Sequence, residues 1–137
     1  MNDARLTREG IRIHEPADFA GMHAAGRIAA QILDEVGPLV QPGATTGAID
    51  DFIRDRVTEL GTVSATIGYR GYQHASCISV NHVVCHGIPG DKVLSEGDIL
   101  NIDVTVILDG WYGDSSRMYV AGKPSVWKGT LSLPMNW

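Results

Sequence analysis

Residues 99–120 read ILNIDVTVILDGWYGDSSRMYV. Ile99 to Leu108 alternates small or polar positions with β-branched and aliphatic ones, the pattern of a strand buried on one face. Asp109-Gly110 follows, the strongest short-range hairpin signal a sequence offers. The spacing therefore predicts a strand over Ile99–Leu108, a two-residue turn, and a partner strand over Trp111–Val120. With Asp109 and Gly110 as the loop, Leu108 pairs with Trp111 and Thr105 lies opposite Asp114. Asp103, two residues before Thr105, projects from that same face. Asp103 and Asp114 are then diagonal cross-strand neighbours, roughly 7 Å apart at the backbone and closer at their oxygens. Thr105 stands beside both.

Two carboxylates so placed repel unless a cation lies between them or one takes up a proton. Carboxylate oxygens suit Mn, Fe, Co and Zn. The competing reading is a solvent-facing strand that carries two unrelated acids. Spacing alone leaves both open, although Ile102, Val104 and Val106 show that the opposite face is apolar.

Upstream of the hairpin, the texture from Thr62 onward is β-branched and punctuated by turns. Cys77–Val80 and His82–Cys85 are short strand candidates, and Gly87–Gly90 and Glu96-Gly97-Asp98 are turns. His86 enters the Gly87-Ile88-Pro89 loop from a strand end, a usual place for functional groups, although a structural histidine fits the same context. Cys85 and His86 are consecutive, so on a strand they face opposite ways and make a poor shared metal site. His14, His23, His74 and His82 read as solvated or structural.

Two amphipathic helices precede this region. Pro16 opens the first, with Glu15 and Asp18 at its positive end and Met22, Ala25, Ala29, Ile32 and Val36 as its apolar stripe. Gly37-Pro38 stops it. Thr45 or Thr46 caps the second, with Ile49, Phe52, Ile53, Val57 and Leu60 as its stripe and Gly61 at its end. Both look like cover for a sheet, and nothing in them suggests chemistry. The fold class is α+β, an antiparallel sheet backed by two helices.

The 137 residues amount to one ordinary domain, preceded by a polar lead-in over 1–15. A net charge of −5, with scattered Lys and Arg, gives no footprint for nucleic acid. No apolar run approaches the length that spans a bilayer. Two cysteines are too few for a disulfide scaffold, which makes a reducing cytoplasm the default and each cysteine a small buried hydrophobe. Residues 126–137 lack periodicity and acids, and read as a disordered tail, an expression remnant or out-of-frame translation.

The motifs, taken in order, resemble those of type I methionine aminopeptidases, a family of metallopeptidases. Gly68-Tyr69-Arg70-Gly71-Tyr72, Cys77-Ile78-Ser79-Val80-Asn81 and Val84-Cys85-His86-Gly87-Ile88-Pro89 follow one another. Then come Gly97 to Thr105, Gly113 to Met118 and Ala121-Gly122-Lys123-Pro124, so that the resemblance runs from about Glu15 to Ser125. It implies the N-terminal half of a pita-bread fold over residues 16–125 and removal of the initiator methionine from nascent peptides, Met followed by a small residue. It also implies two divalent ions (Co, Mn, Fe or Zn), with Asp103 chelating one and Asp114 bridging both. His86 is implied at the substrate amide, and Tyr69, Tyr72 and Cys77 in the methionine side-chain pocket.

The resemblance implies further ligands as well, a histidine and two glutamates. This sequence has no His after His86, no Glu after Glu96 and no Asp after Asp114. These residues alone are therefore expected to bind metal weakly or not at all, to be inactive, and to be unstable or oligomeric. A non-catalytic peptide- or partner-binding half-domain and one piece of a split enzyme are the alternatives.

Overall fold

The computed structural model describes residues 5–124. The expectation for residues 126–137 lies outside them. Helix α1 spans Pro16–Val36 and α2 Thr46–Glu59. Strands follow as β1 Val63–Ser64, β2 Ser76–Val80, β3 Ile99–Leu108 and β4 Trp111–Val120.

All strand pairings are antiparallel. β4 runs the full length of β3 along one edge, so β1 and β2 share the other. The hairpin has the predicted register, Leu108 on Trp111 and Thr105 on Asp114. Asp109 (φ 49°) and Gly110 (φ 83°) are both left-handed, as a two-residue turn matched to strand twist requires.

β3 separates core from site. Leu100, Ile102, Val104 and Val106 are buried under the helices, while Asn101, Asp103 and Thr105 stand half-buried on the other face. α1 packs on β4 and β3, and α2 on β2 and β1. From α1, Ala25, Ala29, Ile32, Leu33 and Val36 are buried; from α2, Ile49, Ile53 and Val57. Burial of the Ile, Leu and Val side chains, at about 1.5–3 kcal/mol each, is what holds helices to sheet. Met22, assigned to the α1 stripe, is instead 49% exposed.

The helix ends follow their local chemistry. Glu15 and Asp18 form a reciprocal capping box at the start of α1, and the Thr45 hydroxyl accepts from the Ala48 N–H at the start of α2. Gly37 does not break α1 by turning left-handed. At φ −50° it continues into a short 3₁₀ turn over Gly37–Leu39, with Pro38 inside it.

Residues 82–85 do not form the expected strand. Asn81 takes up φ 53° and ends β2, its side chain donating to Asp98 and accepting from the Ile99 N–H. The chain turns outward there, so the following residues run over the surface and Val84 is 91% exposed. Cys85 is consequently exposed rather than buried, and Cys77 is half-buried.

Candidate metal and substrate site

On the face of β3 away from the helices lies a cleft of about 630 Å³. It is lined by Tyr69, Tyr72, Cys77, His86, Asp103 and Asp114, together with Thr66, Thr105 and Ile88. Every site residue singled out from the sequence thus reaches one cavity, although the residues come from four separate parts of the chain.

The hairpin supplies the acids. Thr105 Oγ1 donates to Asp114 Oδ1 at 2.8 Å and holds that carboxylate across from it. Asp103 pairs with Ser116 on one side and Cys77 on the other, which places it deeper than the exposed Asp114. Burial pushes the Asp103 pKa up, and the charge and hydrogen bonding of Asp114 push it further, while nearby His86 opposes them. A cation between the two carboxylates would offset the repulsion on Asp103.

Gly87 sets His86 over the cleft. Gly87 lies so close to β2 that a Cβ there would meet the Ile78 carbonyl oxygen at 2.1 Å. Its N–H donates to Ser79 Oγ at 3.0 Å and its carbonyl accepts from the Ile78 N–H at 2.8 Å. Held in this way, the preceding residue turns to φ 54° and leaves His86 exposed at the rim.

The tyrosines arrive on a tight turn over Tyr69–Gly71, where Gly68, Arg70 and Gly71 all have positive φ. Tyr69 is 64% exposed. The Tyr72 hydroxyl donates to the Ser76 carbonyl at 2.8 Å and receives the Cys77 thiol at 3.6 Å. Burial raises the pKa of both the Tyr72 hydroxyl and the Cys77 thiol, so both stay neutral near pH 7 and present a weakly polar wall.

Two contributors were not legible from motif spacing. Thr66 lines the cleft and donates to the His74 carbonyl at 2.7 Å. Asp50 on α2 is 1% exposed and reaches the start of β2. Its signal was present: it lies three residues before Ile53 and seven before Val57, an acid at helical spacing on an apolar face.

Oxygen donors on one face suit the divalent ions considered above, so Asp103 and Asp114 fit as part of such a site. They do not make a complete one. Among the described residues, no group of three or more His, Cys, Asp and Glu side chains is arranged to hold an ion. Nor is any helix among them long and apolar enough to cross a membrane.

Proteins of known structure share this fold. Residues 20–131 match the family model described as metallopeptidase family M24. The methionine aminopeptidase of Escherichia coli is 52% identical over 118 residues, covering 85% of this chain and 45% of that relative. The crystal structure of methionine aminopeptidase from Rickettsia prowazekii superposes with a TM-score of 0.86 at 48% identity, over 88% of this chain and 49% of that one. The enzyme of that name from Thermotoga maritima gives 0.83 at 35% identity, again over 88% and 49%. The chain thus spans about half the length of the relatives it matches, and its sheet and two helices form the corresponding half of their pita-bread fold. A match over most of the sequence, together with this fold, shows that the chain belongs to metallopeptidase family M24.

Proposed function

We propose that this chain provides the N-terminal half of a cytoplasmic methionine aminopeptidase site, which removes the initiator methionine from nascent peptides. The observation that carries the reading is the single cleft in which Asp103 and Asp114 face Tyr69, Tyr72 and Cys77. Asp103 and Asp114 would hold the divalent ions, Co, Mn, Fe or Zn. When bound, such ions supply Lewis acidity toward a scissile carbonyl and lower the pKa of water. His86, at the rim above Asp103, orients the substrate amide. The weakly polar wall of Tyr72 and Cys77 accepts a flexible thioether side chain, for which sulfur and aromatic contacts are favourable.

With two donors present, residues 1–137 by themselves hold metal weakly and do not turn over substrate. Activity requires the further ligands from additional polypeptide. The test is methionine release from a Met-Ala-Ser peptide with Co or Mn added, using the chain alone and mixed with a separately produced C-terminal half of a methionine aminopeptidase. We expect release only from the mixture. Release by the chain alone would overturn the requirement for further ligands. Saturable binding of the peptide without turnover in either sample would instead favour a non-catalytic binding module, a reading that the small donor set also supports.

A further inference from the structure

Asp50 is fully buried, ionisable and without a part in the chemistry above. Its Oδ1 accepts from the Ser76 N–H at 2.8 Å and from the Ser76 hydroxyl at 2.6 Å. Its Oδ2 accepts from the Ala75 N–H at 3.3 Å and lies 3.2 Å from His74 Nδ1. One turn later on the same helix, Arg54 donates to the Gln73 carbonyl at 2.8 Å and lies 3.6 Å from the Asp50 carboxylate. A single turn of α2 thus grips residues 73–76 on both sides of Ala75.

The gripped segment is where the cleft wall hangs. The Thr66 hydroxyl donates to the His74 carbonyl, the Tyr72 hydroxyl to the Ser76 carbonyl, and the Cys77 thiol to Tyr72. Three lining side chains, Thr66 and Tyr72 directly and Cys77 through Tyr72, are therefore tied to one backbone segment, and that segment to one carboxylate. We propose that Asp50 is a positioning residue that sets the width of the side-chain pocket by fixing residues 73–76. Asp50 touches no substrate itself. The inference rests on the reading of Tyr72 and Cys77 as pocket wall, and it adds the element that determines how closely the wall fits an unbranched side chain.

The test uses the whole 137-residue chain. Alkylation of Cys77 by N-ethylmaleimide is measured against Cys85, the exposed internal reference, well below the unfolding midpoint of each variant. Ser76→Ala and Asp50→Asn are compared with Ile32→Val, a core change far from the cleft that controls for lost stability. We expect the Cys77:Cys85 ratio to rise about fivefold or more in the first two, the scale of one lost hydrogen bond, and to stay within about twofold in the third. An unchanged ratio in Ser76→Ala would overturn the proposal, and that variant decides alone if Asp50→Asn does not fold. In the mixture that releases methionine, Ser76→Ala should raise KM by about fivefold with kcat changed less than about twofold, the mark of a loosened binding wall. A fall in kcat with unchanged KM would also overturn it. If the wild-type mixture releases no methionine, the aminopeptidase reading fails, while the alkylation ratio still decides whether Asp50 holds the wall.

Discussion

Under the proposed metal site, Asp103 is the residue at which function would oppose stability. Its pKa is raised by burial and by Asp114, so the folded chain binds that proton more tightly than the unfolded one. The stabilisation from Asp103 is therefore complete below the ordinary carboxylate range and is lost as pH rises through its elevated value. Asp103→Asn should remove this penalty, raising metal-free stability at neutral pH by up to about 1 kcal/mol, the scale of partly exposed charge pairs. The same variant should abolish Mn binding by the mixture with a complementary C-terminal half. Urea unfolding and isothermal calorimetry measure the two effects, and a destabilised Asp103→Asn that still binds Mn would refute the pairing of roles. In the wild type, Mn affinity should weaken as pH falls, because the ion must displace the Asp103 proton. His86 depends on its neighbour instead. Gly87→Ala would drive a Cβ into the Ile78 carbonyl oxygen, so the loop must lift off β2. Proton-resonance shifts of His86 should report that displacement while the core resonances of Ile102 and Val104 stay put.

Among the elements, the hairpin was fully legible because its determinants are local. Alternation defines β3, and two positive-φ turn residues fix a register that places Asp103 and Asp114 without reference to anything distant. Both helices were legible for the same reason. Residues 82–85 were misread as a strand because the Asn81 turn depends on Asp98 and Ile99, seventeen and eighteen residues away. Asp50 was passed over for a similar cause, since its β2 partners lie 24 to 26 residues downstream and only the folded chain shows that its side chain is buried. The joint between α1 and β4 likewise hides in one glycine. A Cβ on Gly113 would lie 2.3 Å from the Ala25 carbonyl oxygen, where neither backbone has room to yield. Gly113→Ala should cost about 1–3 kcal/mol, as overpacking does, measured as a fall in the urea midpoint. Gly26→Ala, where a Cβ meets nothing within 4 Å, is the matched control and should be neutral or stabilising.

At the scale of the whole molecule, several large apolar side chains stand exposed among the described residues. Val84 is 91% exposed, Ile88 70%, Tyr69 64% and Val63 64%. Exposed groups of this kind favour association, and β4 adds an edge with no strand beyond it among the described residues. Light scattering of the purified chain should show an apparent mass that grows with concentration, and addition of a complementary C-terminal half should reverse that growth. A monomer at all concentrations would contradict it. The packing of α1 on β4 has a different consequence, for events during translation. Helix α1 has β4 as a main partner, so its buried stripe, Ala25 to Val36, leaves the ribosome long before Trp111–Val120 exists to receive it. Vectorial synthesis therefore leaves the apolar face of α1 without its β4 partner until the hairpin emerges, and the hairpin, whose contacts are local, should form rapidly once made.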